Sequence, residues 1–328
     1  TVEEIIKLSE ETEKTIETYL KCNLPCADKP IDKKAGFILP AIRMMFTNNH
    51  PVIARIRHNE LIAHFYTDKK AFSLIQSPFT PDIIVYCKSK YLYIDVTGNI
   101  DTVIDNIQTQ VSRFRNENGF SPKIILIKDI GLIAIDNNWL SAETALDVFE
   151  DLMKISYYSM NSGGPRFLTD EQIRFIDSWE AENYRRQISV GNTSESNVNQ
   201  KIVVITGAAQ GFGEGIARSL MKKQANIVIA DINAEKGQIL ANELNNNNPR
   251  NHAVFIKTDV SDPASVKNLF FETVKEFGGL DVLISNAGVL RAGDLDEMEP
   301  DTFNLITGIN YTGYFLCVKY AVSILKTQ

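Results

Sequence analysis

The sequence predicts an α/β protein whose C-terminal part is a doubly wound parallel sheet. From residue 201 onward, short apolar runs alternate regularly with amphipathic helical patterns. Residues 201–205 form a largely β-branched run, which is typical of a strand buried on both faces of a parallel sheet. A glycine-rich turn and a helical pattern follow, in the order of a right-handed strand–helix–strand unit.

Each later element of this part has its own signal. Strands are predicted over residues 226–230, 253–257 and 280–285, where apolar runs are bounded by polar or turn-forming residues. Asp262 and Pro263 begin a helix with apolar residues at three- and four-residue spacing, and Gly278 ends it. These elements complete the four-stranded pattern.

The first 195 residues predict a separate α/β or α+β unit, since periodicity alone does not decide between the two classes. The predicted strands are residues 52–56, 83–87, 91–96, 123–127 and 132–135. The predicted helices are residues 3–20, with Ile5, Ile6, Ile16 and Leu20 on a buried stripe, residues 103–114, ended by Gly119, and residues 142–153. Thr169 and Gln172 form a capping-box pattern that begins a helix continuing through Trp179 and Tyr184.

A polar segment separates the two parts. Residues 189–200 contain only two aliphatic side chains, Val190 and Val198, which is typical of a linker. We therefore predict a boundary near residue 195, with one domain over residues 1–195 and a second over residues 196–328. The chain does not begin with methionine, so we expect it to be part of a longer protein.

Composition excludes several classes of protein. The net charge is −7, so the chain lacks the excess positive charge of a nucleic-acid-binding surface. No run approaches the roughly 18 apolar residues of a membrane helix, and the first residues carry no secretory signal. Four scattered cysteines do not make a disulfide framework. We expect a cytoplasmic protein that acts on a small-molecule substrate, without nucleic-acid or membrane partners, and its sequence is compatible with a homo-oligomer.

The glycine-rich turn is the first candidate binding site. It consists of Thr206, Gly207, Ala208, Ala209, Gln210, Gly211, Phe212 and Gly213. Glycines allow a tight turn and a close approach of backbone N–H groups to a pyrophosphate, and the next helix directs its positive end toward the phosphates. A purely structural turn is the alternative. However, Asp231 ends the next predicted strand, 24 residues after Gly207, where a carboxylate can accept both ribose hydroxyls of an adenosine.

These residues resemble the short-chain dehydrogenase/reductases. The resemblance rests on the spacing Thr-Gly-x3-Gly-x-Gly, on Asp231, on Asp259-Val260 after the third strand and on Asn286-Ala287-Gly288 after the fourth. It implies a Rossmann-type fold with Asp259 at the adenine edge and residues 286–288 supporting the central strand beside the cofactor. The implied cofactor-binding residues are Thr206, Gly207, Gln210, Gly211, Phe212, Gly213, Asp231, Ile232, Asp259, Val260, Asn286, Ala287 and Gly288.

The resemblance also implies a catalytic role for Asn310. This residue matches the family's catalytic asparagine, which holds a water in a proton relay; the alternative is a helix residue that only faces a groove. The family's serine and Tyr-x3-Lys would lie beyond Gln328, so we expect an incomplete dehydrogenase domain and a chain that is inactive by itself. Tyr86 and Lys90 have the Tyr-x3-Lys spacing, but they precede the fold, and we interpret them as coincidence.

Charge near Asp231 favours NAD over NADP. An NADP site needs a positive group near the 2′-phosphate, and a carboxylate at that position repels the phosphate. The neighbouring residues Gln210, Ile232 and Asn233 are all neutral. We therefore predict NAD as the cofactor.

The histidines and cysteines do not predict a metal site. His58 and His64 lack the i, i+4 spacing that places two ligands on one helical face. Cys22 and Cys26 have no matching second pair. We expect residues 1–195 to bind no transition metal.

A second resemblance covers the N-terminal half. Residues 79–86, 128–133, 163–166 and the region of Trp179 resemble the latter part of class II aldolase/adducin-like proteins. The similar subset is fused to a short-chain dehydrogenase and includes bifunctional rhamnulose-1-phosphate aldolase/dehydrogenases. The family's zinc-binding His-x-His pair is absent, and Asp129-Ile130-Gly131 has isoleucine where its Asn-His-Gly turn has histidine. No aldolase active residue is therefore assigned.

Two functional hypotheses follow from these resemblances. The leading one is the NAD-dependent dehydrogenase portion of a bifunctional aldolase/dehydrogenase of sugar metabolism. It would transfer hydride between NAD(H) and a small aldehyde, polyol or sugar phosphate. The alternative is a non-catalytic dinucleotide-binding or scaffold module with an adducin-like domain.

Overall fold

The structure is a computed structural model that describes residues 2–20, 23–47, 50–95, 98–178, 196–246, 248 and 250–328. Two four-stranded sheets organise these residues, one in each half of the chain. Over the described ranges, no helix combines the length and the apolar character that crossing a bilayer requires. The predicted boundary near residue 195, Trp179 and Tyr184 lie outside the described residues.

The N-terminal sheet is mixed. Its strands are β1 (Ile53–Arg57), β2 (Leu92–Ile94), β3 (Ile124–Ile127) and β4 (Gly131–Asp136), in the spatial order β1-β4-β3-β2. Strand β4 pairs antiparallel with both β1 and β3, whereas β2 and β3 are parallel. Of the two classes that the sequence left open, this pairing favours α+β.

The helices of this half surround the sheet. They are α1 (Val2–Leu20), α2 (Ala35–Phe46), α3 (Glu60–Tyr66), α4 (Lys69–Ser73), α5 (Pro81–Cys87), α6 (Ile100–Asn118), α7 (Trp139–Ser159) and α8 (Asp170–Ser178), with a 3-10 turn at Met160–Ser162. Gly119 ends α6 in the left-handed conformation, as predicted. The capping box of α8 is also confirmed, because the Thr169 N–H donates to Gln172 Oε1 at 2.8 Å and the Gln172 N–H donates to Thr169 Oγ1 at 3.3 Å.

Two predictions for this half are wrong. Residues 83–87 belong to helix α5, which has Pro81 in its first turn and buries Ile83, Ile84 and Cys87 on one face. Periodicity does not distinguish a helix from a strand in so short an apolar run. Helix α1 forms, but it buries none of its residues, so the predicted stripe of Ile5, Ile6, Ile16 and Leu20 is not part of the core. Polar contacts connect α1 to the rest of this half, as where the Tyr158 hydroxyl donates to the carboxylates of Glu13 and Glu17.

The C-terminal sheet is entirely parallel. Its strands are β5 (Ile202–Thr206), β6 (Asn226–Asp231), β7 (Ala253–Lys257) and β8 (Val282–Ile284), in the order β7-β6-β5-β8. The helices are α9 (Gly211–Lys222), α10 (Ala234–Asn246), α11 (Pro263–Phe277), α12 (Pro300–Thr307) and α13 (Gly313–Leu325), and a π-helical turn, Gly308–Thr312, joins the last two. The predicted doubly wound sheet is confirmed, with the glycines of the first turn between β5 and α9.

The two halves share a hydrophobic core. Helix α2 packs against α11 and α13, and α11 also contacts β1. The shared cluster includes Ile38 and Ile42 of α2 together with Phe270 and Val274 of α11. Gly278 follows α11 in the left-handed conformation, and a Cβ there would come within 2.6 Å of the Ala54 side chain in β1. The expected separation of residues 1–195 from the rest is therefore not seen in the packing.

A buried ion pair crosses the same interface. Arg43 of α2 is only 1% exposed and donates from Nε to the Val52 carbonyl at 2.6 Å and from Nη2 to Asp281 Oδ2 at 2.7 Å. The same carboxylate oxygen accepts the backbone N–H of Ile202 at 2.8 Å. One ion pair therefore attaches the amino ends of β5 and β8 to the N-terminal half.

A second polar cluster surrounds Trp139. Its ring stacks on the His252 imidazole with centroids 3.8 Å apart, and its Nε1 donates to Glu276 Oε1 at 2.7 Å. Burial, together with the positive charge of Arg55, lowers the pKa of His252 to about 4. Glu276 lies 3.7 Å from His252 Nε2, but its carboxylate already binds Arg55 and Trp139, so its effect on the imidazole is weakened.

Replacing Arg43 with methionine should lower the free energy of unfolding by about 2–3 kcal/mol, because the half-buried Asp281 carboxylate would lose its nearest charged partner and keep only Lys201, at 3.7 Å. Urea denaturation followed by circular dichroism measures this change. Arg113→Met is the control, since the Arg113 side chain is 77% exposed and its loss should cost less than about 0.5 kcal/mol. Equal effects of the two substitutions would show that the pair does not stabilise the fold.

Stability should fall as the pH drops from about 6.5 toward 4, because the folded protein keeps His252 neutral while the unfolded chain binds a proton near pH 6.5. This contribution is complete above pH 6.5 and is at most about 3 kcal/mol. Thermal denaturation of the wild type and His252→Gln across this window measures it. The variant should show the shallower pH dependence, and identical slopes would contradict the lowered pKa.

Candidate functional site

A cleft lies at the carboxyl edge of the parallel sheet. Its volume is about 410 Å³, and it occupies the point between β5 and β8 where the strand order reverses. Open α/β sheets bind their ligands at such points. The lining residues are Gly207, Gln210, Gly211, Phe212, Asp231, Ile232, Thr258, Asp259, Val260, Asn286, Ala287, Gly288, Val289 and Ile309.

The glycine-rich turn forms one wall of the cleft. Gly207 and Gly211 both have φ of +63°, a conformation that favours glycine. A Cβ on Gly207 would come within 2.8 Å of Ala287 Cα, and a Cβ on Gly213 would come within 2.8 Å of Ala208 Cα. Apart from its chain neighbours and the backbone of its own helix, no described atom lies within 4 Å of a Cβ built on Gly211. Two glycines therefore permit close packing, and the third leaves open space beside the turn.

Helix α9 begins at this turn without a side-chain cap. Gln210 occupies the N-cap position, but its side chain accepts no backbone N–H of the helix. Its Oε1 accepts instead from Lys236 Nζ at 2.8 Å. Helix α11 differs, because Asp262 caps it by accepting two backbone N–H groups. The first turn of α9 thus presents N–H groups without a capping side chain, an arrangement suited to an anionic ligand.

Asp231 ends β6 beside this turn. Its Oδ2 accepts the backbone N–H of Ala209 at 2.9 Å, and its Oδ1 accepts that of Asn233 at 2.9 Å. The two bonds hold the carboxylate at the wall of the cleft. Each oxygen keeps a further lone pair, so the carboxylate can also accept hydroxyl protons from a sugar.

Hydrogen bonds join the turn to the loop after β8. The buried Thr206 hydroxyl accepts the backbone N–H groups of Asn286 and Ala287 at 3.0 and 3.1 Å. The Asn286 side chain donates to the Thr206 and Gly207 carbonyls at 3.0 and 3.1 Å. Residues 286–288 are therefore fixed against the central strand.

Asn310 lies in the π-helical turn, Gly308–Thr312. Its Nδ2 donates to the Val289 carbonyl at 2.9 Å, and its Oδ1 accepts the Val289 N–H at 2.8 Å. Single π-helical turns occur frequently at functional sites. In this structure the side chain of Asn310 positions Val289, which lines the cleft.

The structure brings most of the predicted binding residues together. Thr206 and Gly213 are the exceptions among them, because both lie buried behind the wall and do not line the cleft. Three lining residues, Thr258, Val289 and Ile309, were not predicted from the sequence. Each is the direct neighbour of a residue that was predicted, so extension by one position would have found them.

Lys236 is a more consequential omission. Only neutral neighbours of Asp231 were identified from the sequence, whereas Lys236 reaches the turn from the first turn of α10 and donates to Gln210. The prediction of a neutral neighbourhood is therefore wrong. The signal was available, since a lysine five residues after a strand end lies on a helix that returns over the same edge of the sheet.

Tyr-x3-Lys spacings occur only outside the cleft. Tyr86 and Lys90 do not line it, and neither do Tyr66 and Lys70, a second pair with the same spacing that was not predicted from the sequence. The Tyr66 hydroxyl is bonded to His58 Nε2 at 2.9 Å. The interpretation of Tyr86 and Lys90 as coincidence agrees with these positions.

The candidate metal ligands of the N-terminal half have other partners. His58 bonds to the Pro30 carbonyl as well as to Tyr66, and the His64 ring packs edge-on against Phe65. Ile130, at the histidine position of the aldolase-like turn, is buried. Among the residues that the structure describes, no three His, Cys, Asp or Glu side chains are grouped to hold a metal ion.

Residues 201–328 match the family model described as short chain dehydrogenase. This part of the chain is therefore similar to that family, whose members bind a nicotinamide dinucleotide. The match covers less than half of the chain.

Individual relatives are oxidoreductases. The chain is 25% identical over 322 residues to the uncharacterized oxidoreductase YuxG of Bacillus subtilis, in a match that covers 91% of this chain and 46% of the relative. It is 37% identical over 133 residues to trans-4-hydroxycyclohexanecarboxylate dehydrogenase of Sinomonas cyclohexanicum, covering 39% of this chain and 51% of the relative. It is also 37% identical over 131 residues to meso-2,3-butanediol dehydrogenase of Serratia marcescens, covering 40% and 51%. The chain thus spans about half the length of these relatives.

A solved structure gives a similar partial match. It is the 3-ketoacyl-(acyl-carrier-protein) reductase from Brucella melitensis complexed with NADH, which is 30% identical. The match covers 40% of this chain and 52% of that chain, with a TM-score of 0.37.

Proposed function

We propose that the C-terminal half is the dinucleotide-binding part of an NAD-dependent dehydrogenase or reductase. The observation that carries this proposal is the uncapped N-terminus of α9 beside the fixed carboxylate of Asp231 in one cleft. A positive helix end suits a pyrophosphate, and a carboxylate suits a ribose. The family match of residues 201–328 supports the same conclusion.

The residues present fit such a cofactor. The open space at Gly211 leaves the backbone accessible to the pyrophosphate, and Asp231 would bind the adenosine ribose. Asp259 and Val260 would form the adenine wall; the Asp259 carboxylate is held by the backbone N–H and hydroxyl of Ser261 at 2.9 and 2.7 Å. When bound, the nicotinamide ring supplies the group that accepts or donates hydride.

We assign NAD rather than NADP because of Asp231. A 2′-phosphate would meet its carboxylate, which has no ion-pair partner within 4.0 Å among the described residues. The 2′-hydroxyl of NAD would instead donate to the same oxygens. The assignment of NAD therefore depends on the negative charge of Asp231.

The substrate we propose is a small aldehyde, polyol or sugar phosphate. It follows from the aldolase resemblance of the N-terminal half, which would make the parent protein bifunctional. The YuxG match supports the association of the two halves, because it extends over 91% of this chain. Two further relatives are named for a diol and for a hydroxycyclohexanecarboxylate.

For the N-terminal half of this chain we propose a supporting role. It packs on α11 through a shared core, and it places a buried isoleucine, Ile130, at the histidine position of the aldolase turn. An apolar side chain cannot ligate zinc. The half would therefore stabilise the dehydrogenase domain without aldol chemistry from these residues.

A non-catalytic dinucleotide-binding module is the second candidate. One observation favours it: the side chain of Asn310 is bonded at both ends to Val289, so its amide is already engaged by the backbone. General acid–base help is typically worth about 10²–10⁴ in rate. Both candidates share dinucleotide binding and differ in turnover.

The purified chain should bind NADH, and Gly213→Ala should weaken this binding by at least about tenfold, because the added methyl group would displace the Ala208 backbone or the Asn286 side chain. Fluorescence titration measures both affinities, with circular dichroism to check folding. Gly215→Ala is the matched control on the same helix, since its Cβ would meet no described atom within 4 Å outside the backbone of that helix. Absence of NADH binding by the wild type would overturn the proposed function.

The 328-residue chain should bind NADH without turnover, since among the described residues no Tyr-x3-Lys pair lines the cleft for proton transfer. NAD reduction at 340 nm with polyols, and NADH oxidation with small aldehydes and sugar phosphates, tests this. Turnover would contradict the expectation and would assign proton transfer to residues within this chain.

A further inference from the structure

We propose that Lys236 forms a latent 2′-phosphate site, which the Asp231 carboxylate keeps closed to NADP. The inference rests on the proposed dinucleotide-binding function and adds a specificity-determining residue to it. Removing the charge of Asp231 should then open the cleft to NADP without the introduction of any new basic residue.

The position of Lys236 is set by two hydrogen bonds. Its backbone N–H donates to Asn233 Oδ1 at 3.1 Å at the start of α10. Its Nζ donates to Gln210 Oε1 at 2.8 Å, which connects the helix after β6 to the turn after β5. Gln210 and Asp231 both line the cleft. The ammonium group is therefore held beside the wall to which Asp231 also belongs.

The charge of Lys236 is not compensated by the residues around it. Gln210 is neutral, and among the described residues no carboxylate lies within 4.0 Å of the ammonium nitrogen. An ammonium group has three N–H donors, so two remain for a ligand. Lys236 lies in the first turn of α10, where the helix dipole repels a positive charge. The helix dipole therefore does not account for a lysine at this position. Lys236 is exposed, so an anion bound beside Gln210 can reach its ammonium group.

The two charged residues act in opposite directions on a 2′-phosphate. Asp231 repels it, whereas Lys236 attracts it and can donate charge-assisted hydrogen bonds. In the wild type the carboxylate lies in the wall itself, so it decides the preference for the 2′-hydroxyl. Replacement of Asp231 by serine removes the repulsion, so that only the attraction of Lys236 for the phosphate remains.

Lys257 is the competing cation. It pairs in register with Asp231 on the neighbouring strand β7 and is exposed. Lys236 is bonded to a residue of the turn, whereas the backbone pairing of Lys257 does not direct its side chain to the cleft. Substitution of each lysine in the Asp231→Ser background separates the two.

The experiment measures the dissociation constants of NADH and NADPH for the wild type and five variants by fluorescence titration. Four of the variants are Asp231→Ser and the same change combined with Lys236→Gln, Lys257→Gln or Lys222→Gln. Lys222 is the matched control, because it is exposed at the far end of α9. Asp231→Ser with Lys236→Arg tests rescue by a second cation.

Asp231→Ser should shift the affinity ratio toward NADPH by at least about tenfold, and adding Lys236→Gln should remove about tenfold of NADPH affinity. NADH affinity should change less than about twofold between these two variants, and the NADPH gain should shrink at high salt. The Lys257 and Lys222 substitutions should leave the ratio unchanged, and Lys236→Arg should keep the gain.

The titrations distinguish a failure of the Lys236 assignment from a failure of the proposed dinucleotide binding. If Asp231→Ser binds NADPH equally well with and without Lys236, or if Lys257→Gln alone removes the gain, the assignment to Lys236 is overturned while dinucleotide binding stands. If the wild type binds NADH but Asp231→Ser does not favour NADPH, Lys236 is likewise not the phosphate partner. If neither dinucleotide binds the wild type or any variant, the proposed function itself is overturned, and this inference with it.

Discussion

The carboxylate of Asp281 is the point on which the arrangement of the chain depends. It accepts the guanidinium of Arg43 from the N-terminal half and the backbone N–H of Ile202 from the first residue of β5. Arg43 in turn holds the Val52 carbonyl just before β1. Breaking a buried ion pair by removing one partner is far more costly than losing an exposed one. The two sheets are thus connected through the ion pair of Arg43 and Asp281, in which each charge is compensated by the other.

This anchorage lies at the opposite end of the strands from the cleft. Ile202 and Asp281 stand at the amino ends of β5 and β8, whereas the glycine-rich turn and residues 286–288 follow their carboxyl ends. The bonds of Thr206 to Asn286 and Ala287 then set the spacing at the cleft. Packing with the N-terminal half can therefore stabilise the sheet without occupying its binding edge.

The sequence predicted the parts of the structure whose residues have a single physical explanation. Gly207 needs a positive φ and close packing, and an acid at the end of β6 lies at the same sheet edge as the turn, so both were found from spacing alone. Helix α5 was misread because its short apolar run also fits a strand. The burial of α1 was misread because an amphipathic pattern does not state whether a partner surface exists. Lys236 was missed because the neighbours of Asp231 were taken from adjacent sequence positions, whereas Lys236 contacts Gln210 from the first turn of the following helix.

The shared core of α2 and α11 has a consequence for the production of either half without the other. A gene divided between the halves would encode a C-terminal product with Phe270 and Val274 uncovered and Asp281 without its arginine. Such a product would expose an apolar patch of the kind that drives association in solution. The joint packing therefore makes each half depend on the other to cover its apolar surface.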